Sequence, residues 1–588
     1  MCGISGFISN NKIDLNKSEL YKFFDTSLSH RGPDENINFE IENLGLFHMS
    51  RLSINDLRIK QYPLSSQDEK IKLIYNGEIY NSNDLREILI NLGYTFKTRV
   101  DGEVIINGYL EWGNEIWNKL NGIFSVCLID QINNTVILVR DYLGVKPLFY
   151  FVHNDNLIFA SELKTLVQFV KSFGKTIGFE LNLDLSRLTE LSENMFIQSV
   201  ENTVYSDIKS LKPGYYYTFD ETGIKEEQFW NIKNFNAKRE FNSDILDEFE
   251  HIFQNALTQQ LISDVPVALA LSSGLDSNVL LNSINNLGKN EIISYSANFL
   301  NDYRSETNLI LSDNFNKKTS INIVDIDHSE ISKNLDKYLE VYSDLITLDG
   351  GAITTKILSR KMRSDGIKVC LFGEGADELF GGYTWFGLSS GIYKLSPKKT
   401  REIAHHYAIS RKINFNSKIH SNLKDLTPFK TIQVYELMRQ LPNHLLAKVD
   451  RSTMSESIEG RVPYLDKNLV EFILNLDDSY MIPKNKYLAL PDAKTTKPLL
   501  RAYAAKNFGT SLANRPKKGF MLPLDSMIKA SKSEIIDLID SRNFIFNSSE
   551  KNRIINLVNR LKVNKNITVA DNWYLWRVYI IQKVLNVN

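Results

Sequence analysis

The sequence predicts two fold classes within one chain of 588 residues: an α+β domain, then an α/β domain with a doubly wound parallel sheet. Up to residue 230, short apolar strands alternate with turn clusters and a few helices. From residue 242 the pattern becomes helical, with apolar residues at spacings of three and four. Two strand–loop–helix units follow, at 264–284 and 368–383, and such units are typical of parallel sheets.

Length and composition indicate a soluble, cytoplasmic protein of two or more domains. Hydrophobic residues make up 43% and charged residues 24%, as in ordinary globular proteins. The net charge of −1 gives no electrostatic argument for nucleic acid or for an acidic membrane as a partner. Cys127 and Cys370 lie in apolar runs, and the three cysteines lack zinc or disulfide spacing. Neither a signal peptide nor an apolar run of about 18 residues is recognised.

The N-terminus carries the first candidate catalytic group. Residues 1–6 read MCGISG, so removal of the initiator methionine leaves Cys2 with a thiol and a free α-amine. An α-amine has a pKa of about 7.7–8.0 and can take the thiol proton directly or through a water. A cysteine at position 2 is as readily accidental, so this prediction depends on the segments that follow.

Four polar segments supply the groups that a glutamine-hydrolysing site needs: 29–34 (SHRGPD), 51–56 (RLSIND), 76–81 (NGEIYN) and 101–104 (DGEV). An arginine fork suits the α-carboxylate of glutamine, and a carboxylate suits its α-ammonium. A side-chain amide with a backbone N–H suits the tetrahedral oxyanion. The residues of these types are Arg51, Asp101, Asn76 and Gly77.

In this order, these segments resemble the class II glutamine amidotransferase domain, an α+β N-terminal nucleophile sandwich. The resemblance implies that Cys2 is the nucleophile and that Asn76 and Gly77 form the oxyanion hole. The glutamine-binding residues that it implies are Arg51, Leu52, Ser53, Asn76, Gly77, Glu78 and Asp101. We expect this domain at 2–230, closed by a hairpin from 215 onwards, then a linker at 231–241 and a second domain at 242–588.

The second domain opens with a candidate phosphate-binding loop. An apolar run at 264–271 precedes 272–277 (SSGLDS), and a helix pattern follows. A hydroxyl-rich loop at a helix N-terminus gathers N–H donors for an anion, although a serine-rich turn can also be a simple cap. Asp276 adds a carboxylate that could hold magnesium on the phosphates. The segment resembles the pyrophosphate loop of ATP pyrophosphatases, with Ser273 where glycine is usual.

A second acidic loop is expected to face the same nucleotide. The strand at 368–372 is followed by 373–378 (GEGADE), and loops at the carboxyl ends of neighbouring strands line one crevice. The segments 450–454 (DRSTM) and 459–466 (EGRVPYLD) come later, and Lys494 and Lys497 offer cations for pyrophosphate.

The whole arrangement resembles the glutamine-hydrolysing asparagine synthetases over nearly the entire chain. The resemblance implies that magnesium-ATP activates the β-carboxylate of aspartate as an acyl adenylate. Ammonia from glutamine then crosses an internal tunnel, and the products are asparagine, AMP, pyrophosphate and glutamate. Glu374 would assist adenylate formation and deprotonate the ammonia, while Asp276 and Asp377 would hold Mg²⁺. The implied ATP-binding residues are Leu271, Ser272, Ser273, Gly274, Asp276, Ser277, Ala297, Phe372, Gly373 and Lys497.

Two departures from the family pattern leave the acceptor open. Phe372 replaces the usual serine, and 346–353 (ITLDGGAI) has no arginine for the α-carboxylate of aspartate. Asp349 could take the α-ammonium, and the nearest cations in sequence are Arg304, Arg360 and Arg363. Aspartate is the predicted acceptor, and the alternative is another carboxylate, such as a uronic-acid sugar in surface-glycan biosynthesis. The intact motifs argue against a non-catalytic regulatory protein, and a homodimer is one open state of assembly.

Overall fold

The computed structural model describes residues 2–9, 15–57, 62–235, 244–288, 292–300, 307–311, 319–383, 386, 427–482, 496–515, 527–528, 531–540, 545–546, 548–563 and 568–587. Arg304 and Lys494 lie outside these ranges, as do residues 236–241 of the predicted linker.

Twelve strands of the described N-terminal part form two antiparallel sheets. The strands are β1 (Cys2–Ser9), β2 (Glu35–Ile41), β3 (Gly45–Arg51), β4 (Leu64–Ser65), β5 (Ile71–Ile79), β6 (Gly122–Asp130), β7 (Thr135–Arg140), β8 (Phe149–His153), β9 (Asn156–Ala160), β10 (Lys209–Ser210), β11 (Tyr215–Asp220) and β12 (Gly223–Gln228). The first sheet has the order β10-β8-β9-β1-β3-β2, and the second has the order β12-β11-β7-β6-β5-β4. The predicted closing hairpin is the β11–β12 pair.

The two sheets pack face to face and are covered by helices outside. Their shared core contains Ile4 and Phe47 from the first sheet with Ile74 and Cys127 from the second. The helices of this part are α1 (Lys17–Leu28), α2 (Ser82–Asn91), α3 (Glu103–Trp112), α4 (Ile116–Lys119), α5 (Leu163–Ile177) and α6 (Leu185–Asn194). Helices α1 and α5 cover the first sheet, and α2, α3 and α4 cover the second. This layering confirms the predicted α+β sandwich.

A five-stranded parallel sheet forms the core of the second part. Its strands are β13 (Val267–Ala270), β14 (Ile293–Phe299), β15 (Ile321–Ile326), β16 (Val369–Leu371) and β17 (Glu459–Arg461). The order is β15-β14-β13-β16-β17, and every pairing is parallel. The chain moves outward from β13 to β15 and then returns to β16 on the other side. This reversal confirms a doubly wound sheet, whose ligands bind at the switch point.

The helices of the second part are α7 (Ile245–Gln260), α8 (Leu275–Asn286), α9 (Thr307–Leu311), α10 (His328–Lys333), α11 (Gly351–Ser364), α12 (Ala376–Phe380), α13 (Pro428–Tyr435), α14 (Ala447–Met454), α15 (Lys467–Leu474), α16 (Pro498–Phe508), α17 (Thr510–Ala513), α18 (Lys532–Asp540), α19 (Ser548–Lys562) and α20 (Val569–Val587). A π-helical segment, Glu436–Leu446, joins α13 to α14 and contains Pro442, which has no N–H to donate. Among the described helices, none has the length and apolar character that a membrane crossing needs.

The two parts of the chain are in direct contact. Strand β12 ends at Gln228 and α7 begins at Ile245, so the interval between them contains the predicted linker. Its exact limits, and those of the domains, stay a prediction. Near the other end of the chain, Arg577 of α20 donates hydrogen bonds to the carbonyls of Ser192 and Glu193 at the end of α6. The C-terminal helix is therefore fixed to the N-terminal part.

Candidate functional sites

Cys2 lies at the start of β1, directly opposite Arg51 in the β1–β3 register. Its backbone nitrogen donates to Asn76 Oδ1 over 3.0 Å, and the Leu52 amide donates to its thiol. Burial raises the pKa of the Cys2 thiol, while Leu52 and the Arg51 charge act in the opposite direction. The structure thus gathers Cys2, Arg51, Leu52 and Asn76, which the sequence separates by up to 74 positions.

Asn76 and Gly77 lie together on β5. The Asn76 Nδ2 is buried and has no hydrogen-bond partner within the described residues. A buried, unused N–H donor near a nucleophile is the kind of group that stabilises a developing oxyanion. Gly77 has φ +147°, and a Cβ at this position would lie 1.9 Å from the Ile123 carbonyl oxygen. The strand therefore accepts only glycine here.

Arg51 and Asp101 are both nearly buried, and aromatic rings hold them in place. The Arg51 guanidinium lies 5.0 Å from the centre of the Tyr62 ring. Asp101 accepts hydrogen bonds from the Tyr75 hydroxyl at 2.5 Å and from the Ile79 amide at 2.6 Å. Burial raises the pKa of Asp101, and these two hydrogen bonds oppose that rise. Arg51 and Asp101 thus provide a fixed cation and a fixed carboxylate near Cys2.

Glu78 and Ser53 connect this site to the second part of the chain. Glu78 accepts from Asn55 Nδ2 at 2.7 Å and lies 3.5 Å from Nη2 of Arg461 on β17. Burial, with the nearby Glu459 charge, raises the pKa of Glu78 well above its usual value. The Ser53 amide donates to Asp34 Oδ2 at 2.7 Å, and its carbonyl accepts from Lys368 Nζ of the second part at 3.4 Å. Of the predicted glutamine-binding residues, Glu78 therefore has an interdomain contact that its sequence neighbours did not indicate.

The predicted phosphate loop connects β13 to α8. Ser277 Oγ accepts from the Ser272 amide at 3.1 Å, and Asn278 Nδ2 donates to the Ser272 and Gly274 carbonyls at 2.8 and 2.7 Å. Gly274 is the N-cap residue of α8, and it has no side chain that could cap the helix. These bonds fix the conformation of the loop at the switch point of the sheet. Leu271 follows β13 directly, and Ala297 lies on the neighbouring strand β14.

The two acidic loops meet at one lysine. Lys497 Nζ lies 2.6 Å from both carboxylate oxygens of Asp276 and 2.8 Å from Asp377 Oδ1. Burial lowers the pKa of Lys497, but the two carboxylates outweigh burial and raise it. Gly373 lies beside the first loop, since a Cβ there would be 3.5 Å from the Ser277 amide nitrogen. Within the described residues, no group of three or more acidic, histidine or cysteine side chains is arranged to hold a metal.

Glu374 pairs with Lys448, whose Nζ lies 2.7 Å from Glu374 Oε1. Sequence reasoning missed Lys448 because 74 positions separate the two residues. The expected neighbours Arg360 and Arg363 are not at this site. They lie near the C-terminal end of α11, where Arg360 pairs with Glu456 at 3.0 Å and Arg363 donates to Ser457 Oγ at 2.8 Å. Segment 346–353 precedes and begins α11, so the helix itself carries these arginines away from it.

Buried charges connect the two parts between these sites. Arg31 donates to the carbonyl of Cys2 and, over 2.8 and 3.2 Å, to both carboxylate oxygens of Asp450. Lys146 lies 3.5 Å from Asp450, and Glu162 contacts Arg31 at 3.0 Å. A cavity lies beside this cluster, and its lining includes Asp450 and Ala447, on either side of Lys448 in sequence. The cavity lining thus combines residues of the N-terminal part, such as Val145 and Phe149, with residues of the second part, such as Thr347 and Ala447.

Comparison with known families agrees with this two-site arrangement. Residues 1–230 match the model of the glutamine amidotransferase domain, and residues 248–584 match that of asparagine synthase. The second match alone spans more than half of the chain. The chain belongs to the asparagine synthase family.

Several curated relatives in this family match over most of their length. Asparagine synthetase [glutamine-hydrolyzing] 3 of Bacillus subtilis (strain 168) is 29% identical over 511 residues, 81% of each chain. Asparagine synthetase [glutamine-hydrolyzing] 1 of that strain is 27% identical over 593 residues, 91% of this chain and 89% of that protein. A probable asparagine synthetase [glutamine-hydrolyzing] of Dictyostelium discoideum is 26% identical over 498 residues, 82% of this chain and 77% of that protein. The predicted family, and the class of ATP-dependent, glutamine-hydrolysing ligases, are therefore confirmed.

Proposed function

We propose that this asparagine synthase family member makes asparagine from aspartate, with glutamine as nitrogen donor and ATP as activating co-substrate. The observation that carries the proposal is the placement of the two sites. Arg31 donates to the Cys2 carbonyl and to Asp450, and Asp450 lies two residues after Lys448, the partner of Glu374, so a chain of contacts joins the two sites. Asp450 also lines the interdomain cavity, which we propose as part of the route of ammonia from the first site to the second.

In the first site, Cys2 attacks the amide carbon of glutamine, and the α-amine of the mature N-terminus takes the thiol proton. The oxyanion receives hydrogen bonds from Asn76 Nδ2 and the Gly77 amide. Arg51 binds the α-carboxylate of glutamine, and Asp101 binds its α-ammonium. Leu52, Ser53 and Glu78 shape the pocket around them. Hydrolysis of the thioester then releases glutamate after ammonia has left.

In the second site, the loop from Ser272 to Ser277 binds the phosphates of ATP, with Gly373 and Phe372 from the neighbouring strand. The carboxylates of Asp276 and Asp377 suit Mg²⁺, which prefers oxygen ligands and takes the rest of its shell from phosphates and waters. Both carboxylates approach the same point, the ammonium of Lys497, at 2.6 and 2.8 Å. When bound, the ion would neutralise charge on the leaving pyrophosphate. Lys497 contributes a further positive charge there.

Glu374 and Lys448 act on the acceptor. The Lys448 ammonium stabilises negative charge on the acceptor carboxylate as it attacks the α-phosphate. The Glu374 carboxylate accepts a proton from the incoming ammonia when it attacks the adenylate. The 2.7 Å ion pair holds the Glu374 carboxylate beside the Lys448 ammonium, so both groups can reach one acceptor.

A second acceptor class is favoured by one observation. Arg360 and Arg363 are directed to Glu456 and Ser457, so neither supplies the cation that the α-carboxylate of aspartate needs. A uronic-acid sugar has no such carboxylate. Mass spectrometry after incubation with glutamine, magnesium-ATP and each acceptor decides between them. Asparagine formation supports the proposal, whereas an amidated hexuronate without asparagine supports the second class.

A further inference from the structure

His444 contacts the segment 346–353, which the family resemblance places on the acceptor side of the synthetase site. Its Nδ1 is 3.0 Å from Thr347 Oγ1, and its Nε2 is 3.2 Å from Asp349 Oδ2. Asp349 and Thr347 belong to the segment 346–353, in which no arginine is present. Asp349 also caps α11, because its Oδ1 accepts from the Gly351 amide at 2.6 Å. The imidazole and the carboxylate are therefore both held in fixed orientations.

This pair continues into the reacting end of the site. His444 precedes Lys448 by four positions along consecutive helical turns, and Lys448 pairs with Glu374. Burial lowers the pKa of Lys448, but the charges of Glu374 and then Asp349 outweigh burial and raise it. Asp349 therefore lies within electrostatic reach of the Lys448 ammonium. The side chains of Asp349 and Glu374 are 19% and 21% exposed, so neither is sealed from solvent.

The N-terminal part of the chain supplies one wall of this region. The Phe196 ring stacks on the His444 ring, with centroids 5.2 Å apart and an interplanar angle of 22°. Backbone hydrogen bonds secure the contact: the Leu348 amide donates to the Met195 carbonyl at 2.8 Å, and Ile197 donates to Ile346 at 3.2 Å. Phe196 is buried to 1% exposure and cannot turn away. It therefore positions the imidazole from across the domain boundary.

We propose that His444 and Asp349 bind the non-reacting end of the acceptor, with Phe196 as a positioning residue. The inference rests on the proposed function: with aspartate, Asp349 accepts from the α-ammonium and His444 donates to the α-carboxylate. At present the two side chains satisfy each other across 3.2 Å. Each can exchange that partner for the matching group of an amino acid, while the β-carboxylate reaches Lys448 and Glu374. His444 thus replaces the arginine that the segment 346–353 lacks.

The test uses acceptors that each lack one group. Exchange between pyrophosphate and ATP reports adenylation, and it needs neither glutamine nor ammonia. Aspartate is compared with β-alanine, which lacks the α-carboxylate, and with succinate, which lacks the α-ammonium. His444→Gln should raise the KM for aspartate about 10- to 100-fold, the value of one hydrogen bond to a charged group, and spare β-alanine. Asp349→Asn, which keeps a capping side chain, should raise it similarly and spare succinate.

Controls separate recognition from folding. The KM for ATP should stay within about twofold in both variants, and His251→Gln, an exposed histidine on α7, should change nothing. If His444→Gln does not fold, Phe196→Leu provides the second measurement, with a raised KM for aspartate and an unchanged KM for ATP. An unchanged KM for aspartate, or an equal rise for all three acceptors, overturns the inference.

Failure of the proposed function gives a different result. Wild-type protein that activates a hexuronate and not aspartate disproves asparagine synthesis, but the same variants then test the pair with the hexuronate. A raised KM for that acceptor supports the pair, and an unchanged KM overturns it. No exchange with any of these acceptors counts against both.

Discussion

At the residue scale, the side-chain amide of Asn76 serves two purposes near Cys2. The Asn76 Oδ1 accepts from the Cys2 backbone nitrogen at 3.0 Å. This hydrogen bond fixes the direction of the other end of the amide, the Asn76 Nδ2. That nitrogen, Nδ2, is buried without a partner in the described part of the chain. A buried donor left without a partner costs about 1–3 kcal/mol, and we propose that Asn76 Nδ2 makes its hydrogen bond during the reaction.

Cys2→Ala should abolish glutamine-dependent product formation and spare the reaction driven by ammonium chloride. In the proposed mechanism Cys2 serves only to release ammonia, and the proposed ATP loop lies in the other domain. Both rates are measured by product quantification with each nitrogen source. Equal loss of the two activities, or glutamine hydrolysis that persists, would contradict the separation of the two sites.

Asn76→Ala should lower kcat for glutamine hydrolysis about 10²–10³-fold, the usual effect of removing one oxyanion donor. KM for glutamine should change far less, because the proposed mechanism assigns the two ends of the substrate to Arg51 and Asp101. Glutamate release in the absence of ATP measures both constants. Ammonia-dependent synthesis is the internal control. A change confined to KM would show that Asn76 binds the ground state instead.

Glu374→Ala should eliminate product with either nitrogen source. The variant also removes the partner of Lys448, so Glu374→Gln, which keeps the size of the side chain, should be tested beside it. Pyrophosphate–ATP exchange with the acceptor present separates the two roles proposed for Glu374. A wild-type exchange rate would exclude its role in adenylate formation and leave only that of general base.

At the element scale, the turn after α12 must stay close to the two carboxylates. A Cβ on Gly382 would lie 1.9 Å from Asp377 Oδ1 and 2.3 Å from Lys497 Cε. The Gly382 amide also donates to the Asp377 carbonyl at 2.7 Å, so the backbone cannot retreat without losing a hydrogen bond. The turn thus fixes the distance between the second acidic loop and α16.

Gly382→Ala should therefore raise the KM for magnesium-ATP by at least about tenfold, since atoms at 1.9 Å must separate. Glutamine hydrolysis without ATP should stay close to the wild-type rate, because that site belongs to the other sheets. Steady-state kinetics with varied ATP tests this. A normal KM for ATP would mean that Asp377 and Lys497 do not contact the nucleotide.

At the scale of the whole molecule, buried charges hold the two domains together. Arg31 is fully buried and pairs with Asp450 across 419 positions of sequence. Burial raises the pKa of Asp450, but the charges of Arg31 and Lys146 outweigh burial and lower it below its usual value. Such a pair specifies one relative placement of the domains, since a shift would leave a charge buried and unpaired.

Asp450→Asn should lower the free energy of unfolding, by up to about 3–5 kcal/mol, because Arg31 and Lys146 lose a shared counter-charge. It should also raise the ratio of glutamate to amidated product above one, since ammonia would escape at a loosened interface. Thermal denaturation and product quantification measure the two effects. Glu471→Gln alters a different interdomain contact, with Trp230 at 2.9 Å, and should keep the ratio near one. A ratio unchanged in Asp450→Asn would refute the coupling.

The sequence by itself determined the two fold classes, because strand alternation and helical spacing are local patterns. It also located Cys2, the segment 76–81 and the loop from Ser272 to Ser277, whose chemistry lies within a few consecutive residues. The approach of Asp276 and Asp377 to one point could be expected as well, since parallel strands bring their following loops to one edge of the sheet.

Only the tertiary structure decided which distant side chains complete each site. Lys448 meets Glu374 across 74 positions, and Arg31 meets Asp450 across 419. Proximity in sequence suggested Arg360 and Arg363 as cations for the acceptor. Segment 346–353 leads into the start of α11, whereas both arginines lie near its other end and contact Glu456 and Ser457. His444 and Phe196 come from different domains, so their contact depends on how two folded units pack. No local pattern encodes that contact, because it arises only when both cores have formed.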